Sequence, residues 1–310
     1  MHALRSFSAK GPHRTSSVDF FLTDVTNGRS LKYIRQPRIT SMKINTRVVA
    51  LLLSSALALT KLSAMEIVAH RGASADAPEN SLSSMKLAWE HNADAIELDL
   101  WLSSDGKLIV FHDADTKRFE NAPRKISSLT LAEAQKLDIG VWKDPNYKGE
   151  RIPALSSILA TIPKGKRAML EIKCGSEILP ELSREIRNSN RLPEELAIIS
   201  FQYDTLKQSK IMFPKIDHFL LGSSNKGKAG KGAEPAPLIE RCKSANLDGL
   251  LLHSSWPIDA RFTSRVKSAG MKLFVWTVGD VTVAKRMRDA GVDGIVTNKP
   301  KLLREELGKK

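Results

Sequence analysis

Eight short apolar runs punctuate residues 65–310, and segments with helical spacing fill the gaps between them. The runs are 66–70, 95–101, 168–172, 197–201, 217–221, 249–252, 272–276 and 294–297. Several are apolar without alternation, as expected of parallel strands covered on both faces. Helical patterns fall between them at 82–91, 205–212, 238–245, 260–269 and 281–290. Gly270 and Gly291 stand where two of these helices would be capped at their C-terminal ends. Eight strands alternating with helices point to an α/β protein built as a (β/α)8 TIM barrel.

One run breaks the alternation. Residues 108–111 follow the second strand after little more than Ser103-Ser104-Asp105-Gly106-Lys107. A parallel crossover needs a dozen or more residues, whereas Asp-Gly between two β runs signals a hairpin. The run is therefore expected to be an antiparallel arm turned back over the barrel mouth. It opens a small insertion after the second strand, about 113–153. Inside it 129–136 reads as a short helix, followed by a loop with Trp142 and Tyr147.

Polar residues cluster at the ends of these runs. Residues i and i+2 of a strand face the same side, so Glu97 and Asp99 share a face, as do Glu171 and Lys173. His70-Arg71-Gly72 closes the first run, His112-Asp113 follows the arm, and Trp276 ends the seventh parallel strand. Glu97, Asp99 and Glu171 are the metal candidates, because hard cations such as Ca2+ and Mg2+ take carboxylate oxygens. The competing reading makes them exposed acids paired with Lys or Arg. His70 and His112 suit proton transfer near neutral pH, against a purely structural role. His91, His218 and His253 lack the same charged surroundings and read as structural. Arg71 and Lys173 suit a phosphate, or else balance the acidic cluster. Trp276 is expected to line the pocket or simply to pack, and Gly72 permits a tight turn.

The chain has 310 residues and a net charge of +14, of which residues 1–64 carry +8. The remainder is only modestly basic, so the charge implies no nucleic-acid partner. Residues 1–41 show no sustained hydrophobic period and are expected to have no fold. From Met42 onward the order changes: Lys43 and Arg47, an apolar stretch over 48–59 broken by Ser54 and Ser55, then Leu62-Ser63-Ala64. That is the order of a secretory signal peptide, about 42–64. The apolar stretch falls short of the about 20 residues of a spanning helix, although an uncleaved anchor over 48–60 is the rival reading. The expectation is translation from Met42, a mature start near Met65, and an exported protein, periplasmic or secreted, with no stable membrane insertion. Cys174 and Cys242 are expected to be small packed residues rather than a disulfide. Residues 222–237, with Lys226, Lys228 and Lys231, read as a solvated loop on the catalytic face, with attraction of an anionic substrate as the alternative.

These residues resemble a known family. AHRGASADAPENS (69–81), AIELDLWLSSDGKLIVFHDAD (95–115), IPALSSIL (152–159), LEIK (170–173), FVWTVGD and GVDGIVTNKP (within 274–300) are similar to the motifs of the glycerophosphodiester phosphodiesterases, a branch of the phosphatidylinositol-phospholipase-C-like barrels. The resemblance covers nearly all of 66–305. It implies a TIM barrel with an insertion after the second strand. It also implies one divalent cation, Ca2+ or Mg2+, on Glu97, Asp99 and Glu171. His70 and His112 take the family's acid/base positions, and Arg71 and Lys173 its phosphate positions. The implied substrate is a small glycerophosphodiester, split into sn-glycerol 3-phosphate and an alcohol. Glu79 and Asn80 match the Pro-Glu-Asn element, where Asn80 is expected to build the site or cap the next helix. Ser81 replaces the usual Thr, and the segment after His112-Asp113 lacks the commoner Leu-x-Arg-Thr run. Two rivals remain: a phospholipase D-like enzyme acting on lysophospholipids or sphingomyelin, and a non-catalytic binder of phospho-alcohols. The leaving group and the oligomeric state are open.

Overall fold

The structure is a computed structural model that describes residues 65–223 and 234–308. The leader with its expected signal peptide lies outside the described residues, as do Lys226, Lys228 and Lys231. The chain lays down β1 (Glu66–His70), β2 (Ala95–Leu102), β3 (Leu108–Val110), β4 (Arg167–Ile172), β5 (Leu196–Ser200), β6 (Asp217–Gly222), β7 (Gly249–His253), β8 (Lys272–Trp276) and β9 (Gly294–Thr297). All but β3 are parallel. Each pairs with the next in chain order, and β9 returns to β1 to close an eight-stranded barrel. The closure removes the open edges a flat sheet would expose. Helices α1 (Leu82–Glu90), α2 (Leu131–Ala134), α3 (Leu155–Leu159), α4 (Leu179–Asn188), α5 (Tyr203–Met212), α6 (Ala236–Ser244), α7 (Ala260–Ser268), α8 (Val281–Asp289) and α9 (Pro300–Gly308) fill the connections.

The pleat sorts each strand into two layers. Val68, Ala95, Met169, Ala197, Ile199, Phe219, Leu221, Leu251, Phe274 and Val296 form one cluster inside the barrel. The alternate residues join the helices in a larger outer cluster, with Ile96, Leu98, Leu170, Ile198, Leu250 and Leu273 among them. Phe219 and Phe274 meet at 5.0 Å between ring centroids. Gly294 makes room for them, since a Cβ there would lie 2.4 Å from the Phe274 ring. At the N-terminal ends of the strands Arg167 bridges Glu66 at 3.2 Å and Asp217 at 3.0 Å, and Lys272 adds a 2.7 Å contact to Asp217. Apolar packing and this ion network fill the lower barrel, so a substrate is admitted only at the opposite mouth.

β3 is the antiparallel arm, with Trp101 opposite Ile109. Beneath it Ile109, Phe111, Ile126, Leu129, Ala134, Leu137, Ile139 and Ile152 bury a satellite core of their own. The helix expected over 129–136 is trimmed to Leu131–Ala134 because Thr130 serves as its cap. The Thr130 hydroxyl accepts from Glu133 N at 3.2 Å, and Glu133 accepts from Thr130 N at 2.8 Å. Both cysteines are free thiols. No described helix is long and apolar enough to cross a membrane.

Candidate active site

The strand-end residues converge because the interior layer continues upward past the apolar plug. Each of them stands two or four residues beyond an inward-facing neighbour: Val68 then His70, Ala95 then Glu97 and Asp99, Met169 then Glu171 and Lys173, Phe274 then Trp276. His70, Arg71, Glu97, His112, Glu171, Lys173 and Trp276 line one cleft of about 360 Å³ of empty space, part of it open to solvent. Asp99 completes the set from behind them, with ligand atoms of Glu97, Asp99 and Glu171 all within 4.8 Å of one another. All eight residues expected at the site are thus brought together.

His112 reaches the mouth through the arm rather than through a barrel strand. Phe111 N donates to Asp99 O at 3.0 Å and Trp101 Nε1 donates to His112 O at 3.4 Å, which fixes the arm's end over the cleft. Asp113 Oδ1 lies 2.8 Å from His112 Nδ1. The carboxylate can only accept, so Nδ1 carries the proton and Nε2 is left for a substrate. His70 Nδ1 lies 2.6 Å from Asn298 Oδ1. Burial first, then the Arg71 charge, push its pKa down to about 4, so His70 is neutral.

The turn after β1 aims Arg71 inward. Arg71 adopts φ 55° and Gly72 φ 80°, and a Cβ on Gly72 would stand 2.6 Å from the Ser84 backbone. Arg71 N donates to Glu97 Oε2 at 3.0 Å, while its Nε and Nη1 lie 3.3 Å and 3.2 Å from Asp99 and Glu79. Asn80, at φ 57°, donates to Asp99 Oδ2 at 2.8 Å and accepts from Asp99 N at 3.3 Å, so it builds the site. Capping of α1 falls to Ser81, whose hydroxyl accepts from Ser84 N at 3.0 Å. Lys173 Nζ lies 2.9 Å from Glu171 and 3.3 Å from Asp99.

The carboxylates are buried and unequal. Burial, then the charges of Asp99 and Glu171, hold Glu97 well above the usual carboxylate range. Burial and Asp99 lift Glu171 to about 7. Burial would raise Asp99 too, but Arg71, Lys173 and His112 hold it below its ordinary value. Glu97 Oε1 is buried without a hydrogen-bond donor, and Asp99 Oδ1 makes no hydrogen bond and has only the ion pair with Lys173 at 3.3 Å. Such under-paired acceptors are costly. Two under-paired carboxylate oxygens beside a third carboxylate are a donor set that fits a hard divalent cation.

Asn298 and Phe201 were not legible as site residues. Both obey the same rule, standing two residues past Val296 and Ile199. Asn298 meets His70 only because the last strand returns to the first, a contact spanning 228 residues. Phe201 packs edge-on against Trp276 at 5.6 Å, and His253 does so from the other strand at 5.2 Å. Trp276 Nε1 donates to Gly222 O at 3.3 Å.

A parallel barrel whose mouth gathers three carboxylates, two histidines and two cations is the frame of a TIM-barrel phosphoric diester hydrolase. The model of the glycerophosphoryl diester phosphodiesterase family matches residues 70–302. A glycerophosphodiester phosphodiesterase of Caldanaerobacter subterraneus subsp. tengcongensis is 34% identical over 242 residues, covering 76% of this chain and 95% of that protein. One from Bacillus subtilis is 30% identical over 251 residues, covering 76% and 84%. Among solved structures, an Oleispira antarctica phosphodiesterase in complex with the product sn-glycerol-3-phosphate superposes with a TM-score of 0.71 at 29% identity, covering 78% of this chain and 96% of that one. The chain belongs to the glycerophosphoryl diester phosphodiesterase family, and it is an enzyme of that class.

Proposed function

We propose that this enzyme hydrolyses sn-glycerol-3-phospho-alcohols to sn-glycerol 3-phosphate and an alcohol, using one divalent cation held by Glu97, Asp99 and Glu171. The observation that carries this reading is the cluster of Glu97, Asp99 and Glu171 oxygens within 4.8 Å of one another, with Glu97 Oε1 buried and unbonded, at a cleft lined by two histidines and two cations. The product bound by the Oleispira relative supports the same substrate class. When bound, Ca2+ or Mg2+ would neutralise the carboxylates and stabilise negative charge developing around the phosphorus.

The residues divide the remaining work. Arg71 and Lys173 bind the phosphate oxygens and set the phosphorus between the two histidines. His70 is neutral and suits the proton acceptor, taking the proton from the glycerol 2-hydroxyl as its oxygen attacks phosphorus. His112, doubly protonated with its Nδ1–H on Asp113, then gives its Nε2 proton to the departing alkoxide and is left as the neutral Nδ1–H ring. A cyclic phosphate results, and the histidines exchange roles as water opens it. A nucleophile carried by the substrate avoids much of the entropic barrier. A diester of 2-deoxyglycerol should therefore bind and hardly react, and its normal turnover would oppose this route.

A second reading draws on the cleft's other wall. Ile199, Phe201, Leu221, Leu251, Trp276 and Val296 make it apolar, which suits a phospholipase D-like action on lysophospholipids or sphingomyelin. Assaying glycerol diesters of choline, ethanolamine and inositol beside lysophospholipids and sphingomyelin separates the two. Faster turnover of the lipids would displace the first reading.

A further inference from the structure

One guanidinium outside the expected site touches both of its halves. Arg118 Nε donates to Asp113 Oδ2 at 2.6 Å, and its Nη2 donates to Glu79 Oε1 at 2.5 Å. Asp113 holds the Nδ1–H of His112, and Glu79 accepts from Arg71 Nη1 at 3.2 Å. Arg118 thus joins the partner of a proton-transfer histidine to the partner of a phosphate-binding arginine. The insertion holds it flat: its guanidinium carbon lies 5.1 Å from the ring centroids of both Phe119 and Trp142. Trp142 is itself pinned by a 2.7 Å bond from Nε1 to Ile139 O.

The need for such a brace follows from exposure. The His112 side chain is 32% exposed, against 13% for His70. His112 is thus less enclosed than His70, and the bond to Asp113 sets its orientation and tautomer. Asp113 is itself 29% exposed and lies beyond the end of β3, outside any regular element. A rigid two-pronged donor orients a carboxylate better than one mobile ammonium can.

We propose that Arg118 is a positioning residue that fixes the orientation and tautomer of His112 through Asp113. This rests on His112 acting in proton transfer, as set out above. The segment after His112-Asp113 then has a function: it carries the brace, Arg118, and one of its two aromatic holders, Phe119. Exposed ion pairs contribute little to stability, so loss of Arg118 should affect turnover far more than folding.

The test uses Arg118→Met and Arg118→Lys in the full chain. Arg118→Met keeps much of the apolar stem between the two rings. Its kcat on glycerophosphocholine should fall by roughly 10–100-fold, the scale expected of a misplaced catalytic group, with KM changing by less than about threefold. Arg118→Lys should recover only part of the loss, because one ammonium cannot span Asp113 and Glu79. Nitrogen-15 NMR of labelled histidines supplies a readout independent of any substrate. At a pH where the ring is neutral, the parent protein should show His112 as the Nδ1–H tautomer, and Arg118→Met a mixture. Unchanged kcat with an unchanged tautomer in either variant overturns the proposal. If the parent fails to cleave any glycerophosphodiester, the functional reading falls while the tautomer measurement still decides this one. If Arg118→Met does not fold, Arg118→Lys carries both readouts.

Discussion

At the scale of single residues, the site is a balance between buried negative charge and its neutralisation. Glu171 makes this measurable. Its pKa stands near 7 in the folded protein, above the value of about 4.3 for an exposed Glu. A raised carboxyl contributes stability below the unfolded pKa and loses it as pH rises through the folded one. A cation that binds the ionised form reverses that loss, because metal and protons compete for the same oxygens. The rise in melting temperature on adding Ca2+ or Mg2+ should therefore be larger at pH 8 than at pH 5. An equal rise at both would speak against the carboxylates as ligands. Glu97→Ala should weaken cation binding and abolish turnover while the barrel stays folded. It should also melt no lower than the parent in cation-free buffer at pH 8, since it removes a buried carboxyl that desolvation and its acidic neighbours disfavour. Calorimetry with undiminished Ca2+ and Mg2+ affinity in Glu97→Ala would remove the assignment. Most of the site was legible because period two points one strand face into the barrel. Glu97 with Asp99, and Glu171 with Lys173, need nothing more than that rule. Asn298 was illegible because its value lies in ring closure, which pairs the first strand with the last. Arg118 was illegible because its two partners, Asp113 and Glu79, meet only across the folded mouth.

At the scale of elements, the eight runs match the eight barrel strands to within one or two residues. Long apolar runs between Gly and polar turns are the strongest local signal a parallel strand can give. The hairpin behind β3 was also legible, because Asp105-Gly106 leaves no room for a crossover and Gly106 takes φ 71°. Helix α4 was harder to see. Leu179–Asn188 is mostly charged or polar and buries little beyond Leu179 and Leu182. Strand β6 carries a test of its own. His218 is fully buried, with Nδ1 2.9 Å from Ile216 O and Nε2 2.9 Å from the Ser209 hydroxyl. The first contact needs a protonated Nδ1, and the Ser209 hydroxyl can donate to Nε2 of the neutral ring. Burial lowers its pKa to about 4. The unfolded chain, with a His pKa of about 6.5, binds the extra proton first, so stability is complete above that value and is lost as pH falls toward 4. The loss is of the order of 3 kcal/mol for this one group. His218→Gln should lower stability at pH 7 and flatten the decline between pH 6.5 and 4.5, as read from urea midpoints. A decline as steep as the parent's would show that other groups cause it.

At the scale of the whole molecule, the apolar plug and the Arg167–Glu66–Asp217–Lys272 network close one end of the barrel, leaving chemistry to the other. The protein's address is a separate matter: we propose that residues 42–64 direct export, with cleavage before Met65. N-terminal sequencing of the protein from its native host should find that start. A mature chain that keeps residues 42–64 would favour the anchored alternative. The central claim concerns which phosphodiester bond is broken and by which groups. It is tested most directly by identifying the products of glycerophosphocholine with Ca2+ or Mg2+ present, for the parent and for Glu97→Ala. The parent should release sn-glycerol 3-phosphate and choline, and Glu97→Ala should release neither. Release of glycerol and phosphocholine, or equal release of sn-glycerol 3-phosphate by Glu97→Ala, would contradict it.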